Sequence, residues 1–223
     1  MKRTPLRLRA LPGYTKAEEI FSSVSHIVGG AFGIIVLIIC LMVSVNHGSV
    51  WSVLSSAIYG CSMITLYSFS SIYHGLRPGT GKKVMQVLDH CGIYFLIAGT
   101  YTPIVLCAIR PEYPGWGWSL FGAVWALAAA ATVFTAIDLK KYSAFSMVCY
   151  ILMGWCILFA LKPTLDVLPL TAFWWLLAGG ISYTLGAVLY GIGKKKRWMH
   201  GVFHLFVLLG SVFQFICVVG YVI

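Results

Sequence analysis

The sequence predicts an all-α integral membrane protein of seven transmembrane helices, on three observations. Apolar runs of about 18 residues or more, long enough to cross a hydrocarbon core, recur from Ile20 to the C-terminus. The chain is 60% hydrophobic and only 10% charged, a balance that belongs to a bilayer protein. The runs are continuously apolar, whereas the strands of a membrane barrel would alternate.

The first span runs from near Ile20 to Val45, and Gly29 and Gly33 give it a GxxxG face that another helix can approach. It is longer than a secretory h-region, and no small-residue cleavage site follows, so it is expected to stay as a helix. The second span runs from Trp51 to Tyr73 and the third from Val84 to Ile109. Pro103, in the run GTYTP, should bend or break the third toward its outer end, with neighbouring hydroxyls available to the freed backbone groups. The remaining spans lie near Trp116 to Ile137, Ala144 to Leu161, Leu168 to Ile192 and His200 to Ile223. Residues 1–17 form a basic arm with two prolines, expected to be mobile or interfacial, and residues 18–223 form the membrane domain. No internal repeat divides the spans into transporter-like halves.

The net charge of +10 suggests a nucleic-acid partner until its distribution is mapped. Fourteen of the 16 basic residues fall in the arm and the even-side loops, at Lys2, Arg3, Arg7, Arg9, Lys16, Arg77, Lys82, Lys83, Lys140, Lys141, Lys194, Lys195, Lys196 and Arg197. Only Arg110 and Lys162 fall on the other side. The positive-inside rule then puts the N-terminus in the cytoplasm and the C-terminus outside. The basic loops set orientation and meet anionic headgroups, and no nucleic-acid partner is expected. Trp51, Trp116, Trp118, Trp174 and Trp175 gather at the outer boundary, with Tyr142 and Trp198 at the inner one, as interfacial anchors. Seven cysteines without a CxxC pair read as small packing residues, giving neither a disulfide framework nor a zinc ribbon.

With depth assigned, the polar residues separate. Glu18, Glu19, Ser22, Ser25 and His26 open the first span; Ser70, Ser71 and His74 close the second; Asp89 and His90 open the third; His200 and His204 open the seventh. All lie within about two or three helical turns of the inner boundary. Asp166, Glu112 and His47 belong to short outer loops and are assigned no chemistry. His200 and His204, four residues apart, share one helix face and can share a metal, and His74 would complete three ligands, leaving a zinc ion the open position that catalysis needs. Asp89 would orient a histidine or hold metal-bound water, and Ser70 would hydrogen-bond that water. Glu19 and His26, two turns apart on one face, would pair behind the metal. His90 points about 100° away from Asp89 and reads as structural, and Asp138, followed by two lysines, reads as a solvated loop carboxylate. The competing reading of each histidine is a side chain that snorkels or caps backbone near the interface. Imidazole ligands also suit other transition metals.

EEIFSSVSH (Glu18 to His26), SSIYH (Ser70 to His74), LDHCGIY (Leu88 to Tyr94) and HGVFH (His200 to His204) together resemble the hemolysin III family, a bacterial branch related to the progestin and adipoQ receptors and to alkaline ceramidases. The resemblance covers the chain from Glu18 onward and implies seven helices, a bacterial cytoplasmic (inner) membrane location and a zinc ion near the cytoplasmic side. The family's SxxxH motif falls on Ser70 and His74, its helix-3 aspartate on Asp89 and its HxxxH motif on His200 and His204. Its helix-1 motif matches at Glu19, Ser25 and His26, with Ser22 where asparagine is usual. Adiponectin receptors resemble lipid amidases acting on ceramides, whereas bacterial relatives are described as hemolysins or as proteins of membrane lipid homeostasis. One expectation is therefore a zinc-dependent hydrolase of lipid amide or ester bonds, with Asp89 as general base and membrane lipids or a fatty-acyl ligand as partners. The alternatives are a membrane-state sensor or receptor with a structural zinc site, and a channel-forming hemolysin. The channel has little support, because no polar stripe runs through the outer half of any span. A proton-coupled carrier is disfavoured, because no ionisable residue lies near the midplane.

Overall fold

A computed structural model describes residues 4–46, 49–193 and 196–223. His47 and the basic residues Lys2, Arg3, Lys194 and Lys195 lie outside them. Among the described residues seven helices are long and apolar enough to cross a membrane, and no strand is present. They are α1 (Lys16–Asn46), α2 (Val50–Gly75), α3 (Thr80–Glu112), α4 (Pro114–Ile137), α5 (Ser143–Val167), α6 (Leu170–Gly193) and α7 (Met199–Tyr221).

Sequence neighbours pack side by side, and the bundle closes where α7 meets α1, with α3 touching α2, α4 and α5. The most extensive seam joins α1 and α2. Gly29 lies where any Cβ would drive into the Tyr67 ring, and Gly60 answers it from α2, where a Cβ would meet the Leu37 backbone at 2.8 Å. The GxxxG face of the first span is thus its α2 face. Its other face, with Ile20, Ile27, Ile34, Ile38 and Met42, is exposed, as contact with hydrocarbon requires.

Pro103 does not break α3. Without an N–H to donate, the helix widens into a π-helical stretch over Ile104–Ile109 and resumes at Arg110–Glu112. Thr100 and Thr102 do turn their hydroxyls onto backbone, donating to the Leu96 and Ala98 carbonyls at 2.7 and 2.8 Å. The less regular span is α5, where Cys156–Ala160 tighten into a 3-10 turn and Tyr101 of α3 accepts the Ile157 N–H at 3.1 Å.

The arm, over the residues described, is docked rather than loose. After a 3-10 turn at Leu6–Leu8, the Arg9 guanidinium donates to the Ile137 carbonyl at 2.6 Å, and Lys83 donates to the Arg7 carbonyl at 2.6 Å. Asp138, expected as a solvated loop carboxylate, is instead 4% exposed and accepts the Thr4 and Lys141 N–H groups, each at 3.2 Å. The arm covers it, a contact between positions 134 residues apart that local sequence does not announce.

Candidate metal centre

Three hydrogen bonds at one carboxylate tie the start of α1 to the start of α7. Glu18 closes the first turn of α1 by accepting from the Thr15 N–H at 2.9 Å and the Thr15 hydroxyl at 2.7 Å. Its other oxygen accepts the Trp198 N–H at 2.7 Å, at the start of α7. Trp198 holds φ at 68°, the left-handed region that costs a bulky residue, and the charge-assisted bond offsets that cost. With α7 begun at this point, the HxxxH face turns inward.

His74, His200 and His204 meet there, each buried. The Nε2 atom of His200 lies 3.1 Å from Nε2 of His74 and 3.1 Å from Nε2 of His204. A tetrahedral zinc with bonds of about 2.0 to 2.1 Å holds its nitrogens roughly 3.3 Å apart, so the spacing suits a shared ion. The tautomer of His74 suits it too. Its Nδ1 lies 2.6 Å from Glu19 Oε2; a carboxylate can only accept, so Nδ1 carries the proton and Nε2 presents its lone pair to the cluster. These three imidazoles could hold a metal ion.

The expected Glu19–His26 pair does not form. Glu19 reaches across to α2 and α3, binding His74 through one oxygen and Lys82 Nζ at 2.8 Å through the other. Lys82 is itself only 4% exposed and donates on to the Leu76 carbonyl at 3.1 Å. Sequence reasoning missed it, because a lysine next to a basic loop reads as an orientation charge. His26 instead stacks on His204 with ring centroids 3.7 Å apart and meets Tyr67 edge-on, and both its nitrogens are buried with no partner among the described residues.

Asp89 and Ser70 come to the same place from the other side. With His26, His200 and His204 they line one end of an apolar cavity of about 150 Å³ that runs between α3, α5, α6 and α7. The Ser70 hydroxyl is buried without a hydrogen-bond partner among the described residues. Asp89 is not the group that orients His74; among the described residues its carboxylate comes within ion-pair reach only of His90 Nδ1, at 3.8 Å. His90 lines the cavity as well, but its Nδ1 is satisfied by the Gln86 carbonyl at 2.9 Å, as a structural histidine's would be. Cys91 turns toward the Thr132 carbonyl at 3.9 Å, on the α4 side.

A lid residue was also missed. Tyr14, from the arm, stacks on His200 with ring centroids 4.7 Å apart and 17° between planes. Burial first, then the neighbouring Tyr190 hydroxyl and the Glu19 and Asp89 carboxylates, push its own hydroxyl well above the usual range, so it stays protonated. A tyrosine two residues before the first span carries no pattern that points to a histidine 186 residues later.

The sequence is similar to several known proteins. The family described as haemolysin-III related matches residues 14–215. Hemolysin-3 of Bacillus cereus is 39% identical over 206 residues, covering 92% of each chain. The Hemolysin-3 homolog of Bacillus subtilis (strain 168) is 36% identical over 208 residues, covering 93% of this chain and 96% of that one. More distantly, the monocyte to macrophage differentiation factor of Homo sapiens is 26% identical over 168 residues, covering 70% of this chain and 66% of that one. With seven apolar helices and a match over nearly its whole length, this chain belongs to the haemolysin-III-related family and is a multi-pass protein of the cell membrane.

Proposed function

We propose that this protein holds zinc on His74, His200 and His204 and cleaves the acyl amide or ester bond of a membrane lipid. The observation that carries the reading is the union of the three-histidine cluster with an apolar cavity whose histidine end also presents Asp89 and the unpartnered Ser70 hydroxyl. Leu158, half exposed on α5, is part of that cavity wall, so an acyl chain would enter from the bilayer between α5 and α6. The basic arm and the positive-inside rule support a cytoplasmic position for the cluster end.

Zinc bound there would supply a Lewis acid for the lipid carbonyl and for water. Asp89 takes the proton of the attacking water and returns it to the leaving amine or alcohol. Ser70 and His26 offer hydrogen bonds to the polar groups of the head, since neither side chain has a hydrogen-bond partner among the described residues. Glu19 fixes His74 in one tautomer, and Lys82 balances the Glu19 charge. Tyr14 excludes water from the arm side.

The competing reading, a membrane-state sensor with a structural metal, is favoured by that same enclosure, since Tyr14 covers the cluster from the aqueous side. Elemental analysis of purified wild type beside His74→Ala, His200→Ala and His204→Ala, with turnover assays on ceramides, acylated amines and lysolipids, tests both. One metal per chain lost in all three variants, together with turnover abolished by Asp89→Asn at unchanged metal content, is the expected result. Metal retained in the three variants would sink the site. Lipid binding without turnover, with Asp89→Asn functional, would leave the sensor.

A further inference from the structure

At the far end of the cavity from the histidines one polar atom is left over. Gln214 is on α7, ten residues beyond His204, so about 15 Å deeper along the helix at 1.5 Å per residue. It belongs to the same buried stripe, His200, His204, Val207, Ser211, Gln214 and Val218, and is 4% exposed. Its amide lies flat against α6, where Gly179 leaves room that any Cβ would take. The amide nitrogen donates to the Leu176 carbonyl at 3.1 Å. A carbonyl can only accept, so this bond fixes which amide atom is nitrogen and leaves Oε1 as the second one. Oε1 is buried, in a residue that lines the cavity, and has no donor among the described residues.

The other polar side chains that line the cavity at this depth are engaged. Tyr101 donates to the Gly154 carbonyl at 2.9 Å, Trp155 to the Thr184 hydroxyl at 3.0 Å, Thr184 to the Gly180 carbonyl at 2.8 Å, and Tyr183 shares a hydrogen bond with Ser211 at 2.9 Å. One unmet acceptor in an apolar wall is unfavourable unless a donor arrives from the cavity. A lone water is a poor donor there, since it would find one of the two to four partners it needs.

We propose that Gln214 Oε1 is a second polar subsite, which accepts a hydrogen bond from a hydroxyl carried partway along the acyl chain of the ligand. The inference rests on the reading of the cavity as an acyl-chain site. The ligand class is then a hydroxylated fatty acyl lipid, its head among Ser70, Asp89 and His26 and its mid-chain hydroxyl against Gln214.

The test is binding of stearate and of a mid-chain hydroxystearate to the full-length protein in lipid nanodiscs, for wild type, Gln214→Leu and the volume-matched Gln214→Met. Wild type should prefer the hydroxylated chain roughly fivefold to tenfold, the worth of one hydrogen bond in an apolar site. Both variants should lose that preference, with metal content unchanged. Equal binding of both chains by wild type, or a preference that survives in the variants, overturns the subsite and leaves the cavity reading standing. Binding of neither chain overturns both.

Discussion

Each end of the bundle contains a lysine–carboxylate pair of nearly equal length, and the two pairs do different things. At the arm end Lys82 and Glu19 meet at 2.8 Å with 4% and 18% of their side chains exposed, and Glu19 continues to His74. At the opposite end Lys162 and Asp166 meet at 2.6 Å, one turn apart on α5, with 83% and 36% exposed. Solvent screens the second pair, so its shorter distance adds little. The first pair is enclosed, and each charge depends on the other. Burial and continuation into a network, rather than distance, separate a charge that organises a site from one that decorates a loop.

The comparison breaks first at Lys82. Lys82→Ala leaves the Glu19 carboxylate enclosed without its cation and should cost about 3 to 5 kcal/mol, read as a lowered unfolding midpoint in detergent. Lys162→Ala should leave that midpoint where it is; equal shifts in the two variants would erase the distinction. Next, Glu19→Gln replaces the charged acceptor that sets the His74 tautomer with a weaker neutral amide and should weaken metal retention roughly tenfold to a hundredfold in competition with a chelator. Glu18→Ala, which frees the Thr15 and Trp198 donors, should destabilise by about 2 kcal/mol, and adding Trp198→Gly should recover about 1 kcal/mol of that by relieving the left-handed backbone.

The smallest effect is at the arm. Hydrogen bonds from Thr4, the side chain first, and from the Lys141 N–H hold the Asp138 carboxyl below its usual range. Such a group stabilises the docked arm fully above the ordinary carboxylate pKa and loses that contribution as pH falls through the depressed value. Limited proteolysis of the arm should therefore be flat from neutral pH downward and rise only below about pH 4. Asp138→Asn should raise it at neutral pH.

The spans were legible because a bilayer imposes length and hydropathy on each of them separately, so boundaries near Ile20, Trp51 or His200 could be read from composition alone. The His200–His204 face was legible from helical spacing, and His74 joined it through depth. The partners of Glu19 were not. His26 shares its helix face in sequence, but rotation of α1 against α2 and α3 turns the carboxylate to His74 and Lys82, a choice made by packing between helices. Asp138 and Tyr14 were misjudged or missed for a related reason: the arm that buries one and stacks through the other has no periodic pattern. Gln214 escaped notice because a neutral amide carries no charge to flag it among apolar neighbours.

The cluster draws His74 from the second helix and His200 and His204 from the last, with consequences for how the protein is made. Helices leave the ribosome in chain order, so Glu19, His74 and Lys82 can find one another once three spans are in the bilayer. The other two histidines arrive only with the final span, and the Glu18 bond to Trp198 closes at the same moment. Until then α2 presents an oriented but solitary imidazole, too few donors to retain an ion against cellular chelators. With the proposed metal, the site would act as a checkpoint on biogenesis: a chain stalled at six spans would stay empty, and only a completely inserted one could be loaded.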